Sequence, residues 1–166
     1  MQVRDFQRLY DYNYWANKRL FAAMVTLTPE EFVRPLAGSY GSVRNTLVHV
    51  LSAEWGWLDR CGGHPRGPKL NADNYPTLDS VVSAWSSVDR HMREFLSGLS
   101  DADLARQVEF SFSPEKKHSK SVAHLLQHAA NHGAHHRGQI ALLLRMLGHV
   151  PGDFDYLLYD GESTST

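Results

Sequence analysis

The tightest constraint on the fold is a row of seven apolar residues. Leu78, Val81, Trp85, Val88, Met92, Phe95 and Leu99 follow one another in unbroken alternating steps of three and four. With about 3.6 residues to a turn, only an α-helix puts all of them on one face. A stripe this long is a helix–helix seam, so the rest of the chain has to supply helices to pack against it.

It does. Phe6, Leu9, Tyr10, Ala16, Leu20, Ala23, Met24 and Leu27 recur at helical spacing and predict a first helix over residues 3–27. Thr28-Pro29-Glu30-Glu31 then reads as an N-cap, a proline at the first helical position and a capping-box glutamate. That pattern predicts a short helical turn, before a loop around Pro35, Gly38 and Gly41. A second helix is expected from about Ser42 to Arg60, with Val43, Leu47, Val50, Leu51, Trp57 and Leu58 inward, His49 beside that face and Glu54 as a solvated residue. Residues 62–76 hold Gly62, Gly63, Pro65, Gly67, Pro68 and Pro76, the composition of a long loop able to line a pocket.

After the seam helix, the third, Ser100-Asp101-Ala102-Asp103 caps another short turn. Val108, Phe110 and Phe112 alternate like a strand, and Pro114, Lys116 and Lys117 mark a turn. The fourth helix is expected over about 120–147, burying Val122, Leu125, Ala129, Gly133, Ile140, Leu143 and Leu147 and ending at Gly148. Beyond Pro151-Gly152, the tail residues Phe154, Tyr156, Leu157, Leu158 and Tyr159 are too apolar to float free. They are expected to dock across the bundle, with residues 161–166 frayed. The whole reads as an all-α four-helix bundle: one domain over residues 1–166, with a long loop between helices 2 and 3 and a docked C-terminal tail.

The 166 residues suffice to bury a continuous core. A formal net charge of −1 excludes a general attraction to nucleic acid or to an anionic membrane. No run of 18 apolar residues occurs, and Arg4, Asp5 and Gln7 interrupt any signal-peptide pattern, which points to the cytoplasm. Cys61 is the single cysteine, so no intramolecular disulfide forms; with no flanking base it reads as an inert thiol.

Chemistry concentrates in residues 128–140, which hold four of the ten histidines. His132 and His136 lie one turn apart on the face that carries Ala129, Gly133 and Ile140. Burying two imidazoles demands two sets of partners, and one metal ion satisfies both. Spacing leaves alternatives open: the pair is equally His128 with His132, and two separately satisfied core histidines fit as well. One ion cannot easily take all three, because 128 and 136 stand about 12 Å apart along the axis. His49, at the edge of the second helix's apolar face, can face such a pair across a bundle. Three imidazoles suit Zn²⁺, Ni²⁺, Cu²⁺ or Fe²⁺, leaving an open position for water or substrate. His64, His91, His118, His124 and His149 read as surface or capping residues.

Four stretches, in order, resemble the DinB/YfiT-like superfamily: Tyr14-Trp15-Ala16-Asn17; His49 with Trp55, Leu58 and Arg60; Asn131-His132 followed by His135-His136-Arg137-Gly138-Gln139-Ile140; and Asp155-Tyr156-Leu157-Leu158-Tyr159. The resemblance implies a bundle, commonly a homodimer, with a divalent metal on three histidines. Carried over by motif, the ligands are His49, His132 and His136, and His128 and His135 stand behind them, touching ligands rather than the ion. Relatives in that superfamily include metal-dependent thiol transferases and a mycothiol-dependent maleylpyruvate isomerase. The isomerase resembles this pattern with a carboxylate where His132 stands, which argues against that activity here.

The leading expectation is therefore a thiol S-transferase, a metal-dependent enzyme adding a low-molecular-weight thiol to an electrophile. A non-catalytic, stress-related metal or small-molecule binding protein is the alternative, and a metal-dependent hydrolase shares the ligand set. No inward Glu or Asp stands out near the histidines to serve as general base.

Overall fold

The computed structural model describes residues 1–113 and 115–161. Its helices are α1 (Val3–Met24), α2 (Pro29–Val33), α3 (Val43–Cys61), α4 (Leu78–Gly98) and α5 (Val122–Met146). Strands β1 (Gln107–Ser113) and β2 (Lys116–Ser121) form an antiparallel hairpin between α4 and α5. Short 3₁₀ turns occupy Ala72–Asn74, Asp103–Ala105 and Tyr156–Leu158.

The helix starts obey local chemistry. Thr28 Oγ1 accepts from Glu31 N while the Glu31 carboxylate accepts from Thr28 N, so the capping box forms. The Ser42, Thr77 and Ser121 side chains each accept from the backbone N–H three residues on and cap α3, α4 and α5, and Thr77 also forms the reciprocal box with Ser80. On α4, Val81, Trp85, Val88, Met92 and Leu96 are buried. The seam shifts slightly from expectation, because Leu96 takes the core place while Phe95 and Leu99 pack at its rim. α1 stops at Met24 rather than Leu27, and Gly148 ends the last helix with a positive φ of 86°.

The hairpin departs from expectation most. Residues 116–121 pair with β1 instead of forming a turn and the start of the last helix, which begins at Val122. Phe110 stacks on His118 across the pair and meets Trp57 edge to face, which anchors the hairpin to α3. The turn expected at Pro114 and the fraying expected of residues 162–166 fall outside the described residues.

One core runs through all four long helices, with α3 and α5 the most closely packed pair. The tail docks on α1. Tyr12 Oη donates to Phe154 O at 3.0 Å, Arg19 donates to Asp153 O, and buried Tyr159 sits against Tyr12 and Trp15. No described helix is long and apolar enough to cross a membrane.

Candidate functional site

Three imidazoles meet where α3 packs on α5. His49 comes from α3; His132 and His136 come from successive turns of α5. His132 Nε2 lies 3.1 Å from His49 Nε2 and 3.1 Å from His136 Nε2, and one ligand atom of each residue falls within 4.8 Å of the others. Among the described residues this is the group of three or more His, Cys, Asp or Glu that could hold a metal ion.

The donor set fits a divalent cation. Ligand nitrogens about 2.05 Å from an ion are about 3.3 Å apart at a tetrahedral angle and about 2.9 Å apart at a right angle. The His49–His132 and His132–His136 separations, both 3.1 Å, lie between them. The protonation state fits as well. Burial first, then the His136 ring and the Lys69 and Arg66 cations, press His49 down to about 4. Burial and then the neighbouring imidazoles press His132 down to about 3. His136 is also lowered, by burial, against the raising effect of its bond to Gln139. All three are neutral at pH 7, the form that ligates.

The surroundings hold these rings in place. Gln139 Oε1 lies 2.7 Å from His136 Nδ1 and 2.7 Å from Ser39 Oγ, while Gln139 Nε2 lies 2.9 Å from His135 Nε2. Tyr40 stacks on His49 with ring centroids 3.7 Å apart and 18° between planes. An open cleft of about 650 Å³ runs along α5 past His124, His128, His132 and His135, walled on the far side by Met1 and Phe6.

His128 is exposed, meets Trp57 edge to face at 5.2 Å and has its ring centre 6.0 Å from that of His132. His135 is exposed and reaches His136 through Gln139. His149 joins Thr26 and Glu31, tying the end of α5 to α2. His64, His91 and His124 are exposed. The 62–76 loop does line a small cleft, with Gly67, Pro68 and Leu70 facing Ser52, Trp55, Gly56 and Asp59. Cys61 is buried, and burial pushes its thiol up to about 12, so it is no nucleophile at neutral pH.

Glu54 is a correction. It is not a solvated helix residue but is 3% exposed, and its Oε1 accepts from Tyr14 Oη at 2.6 Å. Burial raises its carboxyl to about 7, against the Tyr14 hydrogen bond, the Arg137 charge and the nearby Trp85 indole, whose N–H makes no hydrogen bond of good geometry. An inward acid therefore exists. Its place was legible, since Glu54 lies four residues after Val50 and four before Leu58 on α3's buried face. Arg137 was also missed: it is buried beside His136 and donates to Asn13 Oδ1 and Asn17 Oδ1 on α1. Only its place in the His135–Ile140 motif singled it out.

The chain is similar to known proteins over nearly its whole length. The model of the DinB family matches residues 1–164. Protein DinB of Bacillus subtilis (strain 168) is 26% identical over 165 residues, 95% of either chain. The uncharacterized protein YizA of the same organism is 24% identical over 140 residues, covering 84% of this chain and 86% of its own. The crystal structure of a DinB-like protein from Bacillus cereus ATCC 10987 superposes with a TM-score of 0.74 at 20% identity, covering 92% of this chain and 97% of that one, a likeness of fold.

Proposed function

The chain belongs to the DinB family, and on that premise we propose that it is a divalent-metal-dependent enzyme that adds or transfers a low-molecular-weight thiol to an electrophile. His49, His132 and His136 hold the ion, with Zn²⁺, Ni²⁺ and Fe²⁺ all compatible with three neutral imidazoles. The observation that supports this most directly is the convergence of three Nε2 atoms with no fourth protein ligand among the described residues. That is the pattern of a catalytic rather than a structural site. A bound divalent ion supplies Lewis acidity, which makes a thiol ionise at neutral pH.

The chain's own residues do the rest. The three imidazoles stay unprotonated at neutral pH and so keep their lone pairs for the ion. The cleft beside His132 gives a small molecule access from solvent. The attacking sulfur has to come from outside, because Cys61 is buried with its thiol raised to about 12. Hydrolysis would need a general base at the open position, and the inward acid Glu54 is instead engaged by Tyr14.

The test is elemental analysis of the purified protein and of His49→Ala, His132→Ala and His136→Ala, paired with thiol assays. The expected result is near-stoichiometric metal in the parent, loss of more than tenfold in each variant, and a metal-dependent rate with a glutathione-type thiol and a model electrophile. Unchanged metal in all three variants overturns the site. Metal without any thiol-dependent rate returns the protein to the class of non-catalytic metal binders.

A further inference from the structure

The turn at residues 38–41 carries more strain than a plain connector needs. Gly38 and Gly41 have φ of 91° and 84°, and between them Ser39 has φ of 48°, the positive-φ residue other than glycine among those described. A serine held there points to a job for its side chain. That side chain crosses to α5, where Ser39 Oγ donates to Gln139 Oε1 at 2.7 Å. Behind it, the buried Thr46 hydroxyl donates to Ser42 O at 2.8 Å and its Oγ1 lies 3.0 Å from Ser39 Oγ, which ties the Ser39 side chain to α3. The next residue, Tyr40, stacks on His49. One turn thus grips both helices that bear the histidines.

Hydrogen bonding couples the amide orientation of Gln139 to the tautomer of His136. Gln139 Oε1 faces both the Ser39 hydroxyl and His136 Nδ1, and its Nε2 donates to His135 Nε2. A flipped amide would instead donate to Ser39 Oγ and to His136 Nδ1 and accept from His135 Nε2–H, leaving His136 as the Nε2–H tautomer, the form that an ion on Nε2 excludes. With Oε1 toward the ring, His136 Nδ1 has to carry the proton, which leaves the Nε2 lone pair facing His132 and His49. Free neutral imidazole favours the opposite tautomer, with the proton on Nε2.

We infer that Ser39 and Gln139 form a positioning relay: Ser39 anchors the Gln139 side chain, and Gln139, with Oε1 toward the ring, holds His136 as the Nδ1–H tautomer, with Nε2 directed at the ion. The relay rests on the metal reading proposed above, since an ion on His136 Nε2 requires the proton on Nδ1. Neither residue touches the reacting atoms. Partners of this kind commonly change metal affinity by about 10- to 100-fold when removed.

Long-range ¹H–¹⁵N imidazole spectra of the metal-free wild-type protein at pH 7 test the first step without any variant. His136 is expected as Nδ1–H; finding Nε2–H overturns the relay. In Gln139→Leu, His136 is expected to revert to Nε2–H and Co²⁺ affinity to fall about 10- to 100-fold, with an altered visible absorption spectrum. Gln139→Glu, which keeps the acceptor oxygen, is expected to restore both, and Ser39→Ala to weaken Co²⁺ binding several-fold. Gln139→Leu with the wild-type tautomer and affinity overturns the inference. A wild-type protein that has the Nδ1–H tautomer but takes up no Co²⁺ overturns the metal reading and leaves the tautomer control standing.

Discussion

A carboxyl group without water around it is a weak acid, and Glu54 is such a group. Its folded pKa of about 7 stands above the ordinary 4.5 because burial outweighs the Tyr14 hydrogen bond and the Arg137 charge. Below pH 4.5 the folded and unfolded chains both hold the proton, so this residue costs nothing. Between 4.5 and 7 the folded chain keeps a proton that the unfolded chain has lost, and stability falls as pH rises. Above 7 the full penalty applies, about 3 kcal/mol for a shift of this size at 1.36 kcal/mol per unit. Glu54→Gln keeps an acceptor for Tyr14 and cannot titrate. Its stability relative to wild type is therefore expected to improve between pH 5 and pH 8, by up to about 3 kcal/mol. Urea unfolding of both proteins across that range measures it, and a difference independent of pH would mean that the carboxyl titrates normally.

Two glycines on α5 show how one element serves both fold and site. Gly138 is open, with nothing within 4 Å of an added Cβ. Gly133 faces α1, where a Cβ would come 3.1 Å from Asn13 Oδ1 and 3.4 Å from the Arg137 guanidinium. Alanine gains about 1 kcal/mol over glycine in a helix interior. Gly138→Ala is expected to realise most of that. Gly133→Ala is expected to lose it and more, since Asn13 is 2% exposed and already bound to Arg137. Thermal unfolding should separate the two by several degrees; equal gains would mean that the α1–α5 interface gives way easily. The same elements show what a sequence reveals. The Val81–Trp85–Val88–Met92 seam, the Thr28 capping box and the His132/His136 spacing are local, and local spacing is written in the chain. β2 was missed because Lys116-Lys117-His118-Ser119-Lys120-Ser121 has no apolar alternation of its own; its pairing comes from β1. Ser39 and Gln139, 100 positions apart, have no spacing to betray them. Only folding brings them together.

At the scale of the whole molecule, the histidine cluster is held by layers. His49 and His132 are 83 residues apart, so their meeting depends on the α3–α5 packing. α1 braces α5 through Arg137, Asn13 and Asn17. The tail in turn braces α1, with Tyr159 against Tyr12 and Trp15, and with Gly152 at a φ of 78° passing close under Arg19 O. Tyr12, on which Tyr159 packs, also lies under the Arg137 guanidinium at 5.6 Å, so Tyr159, Tyr12 and Arg137 form a chain of contacts from the tail to the residue after His136. Coupling between mutations fades as intermediates separate them, so tail docking should support the fold without tuning the site. Tyr159→Ala is expected to cost about 3 kcal/mol, as truncating a buried aromatic does at the low end. It is also expected to leave Co²⁺ affinity at 10 °C within twofold of wild type. Urea unfolding and a cobalt titration on the same preparation decide the matter. A parallel fall in stability and affinity would mean that the tail reaches the histidines through α1 and Arg137. The brace would then be part of the metal site's mechanics.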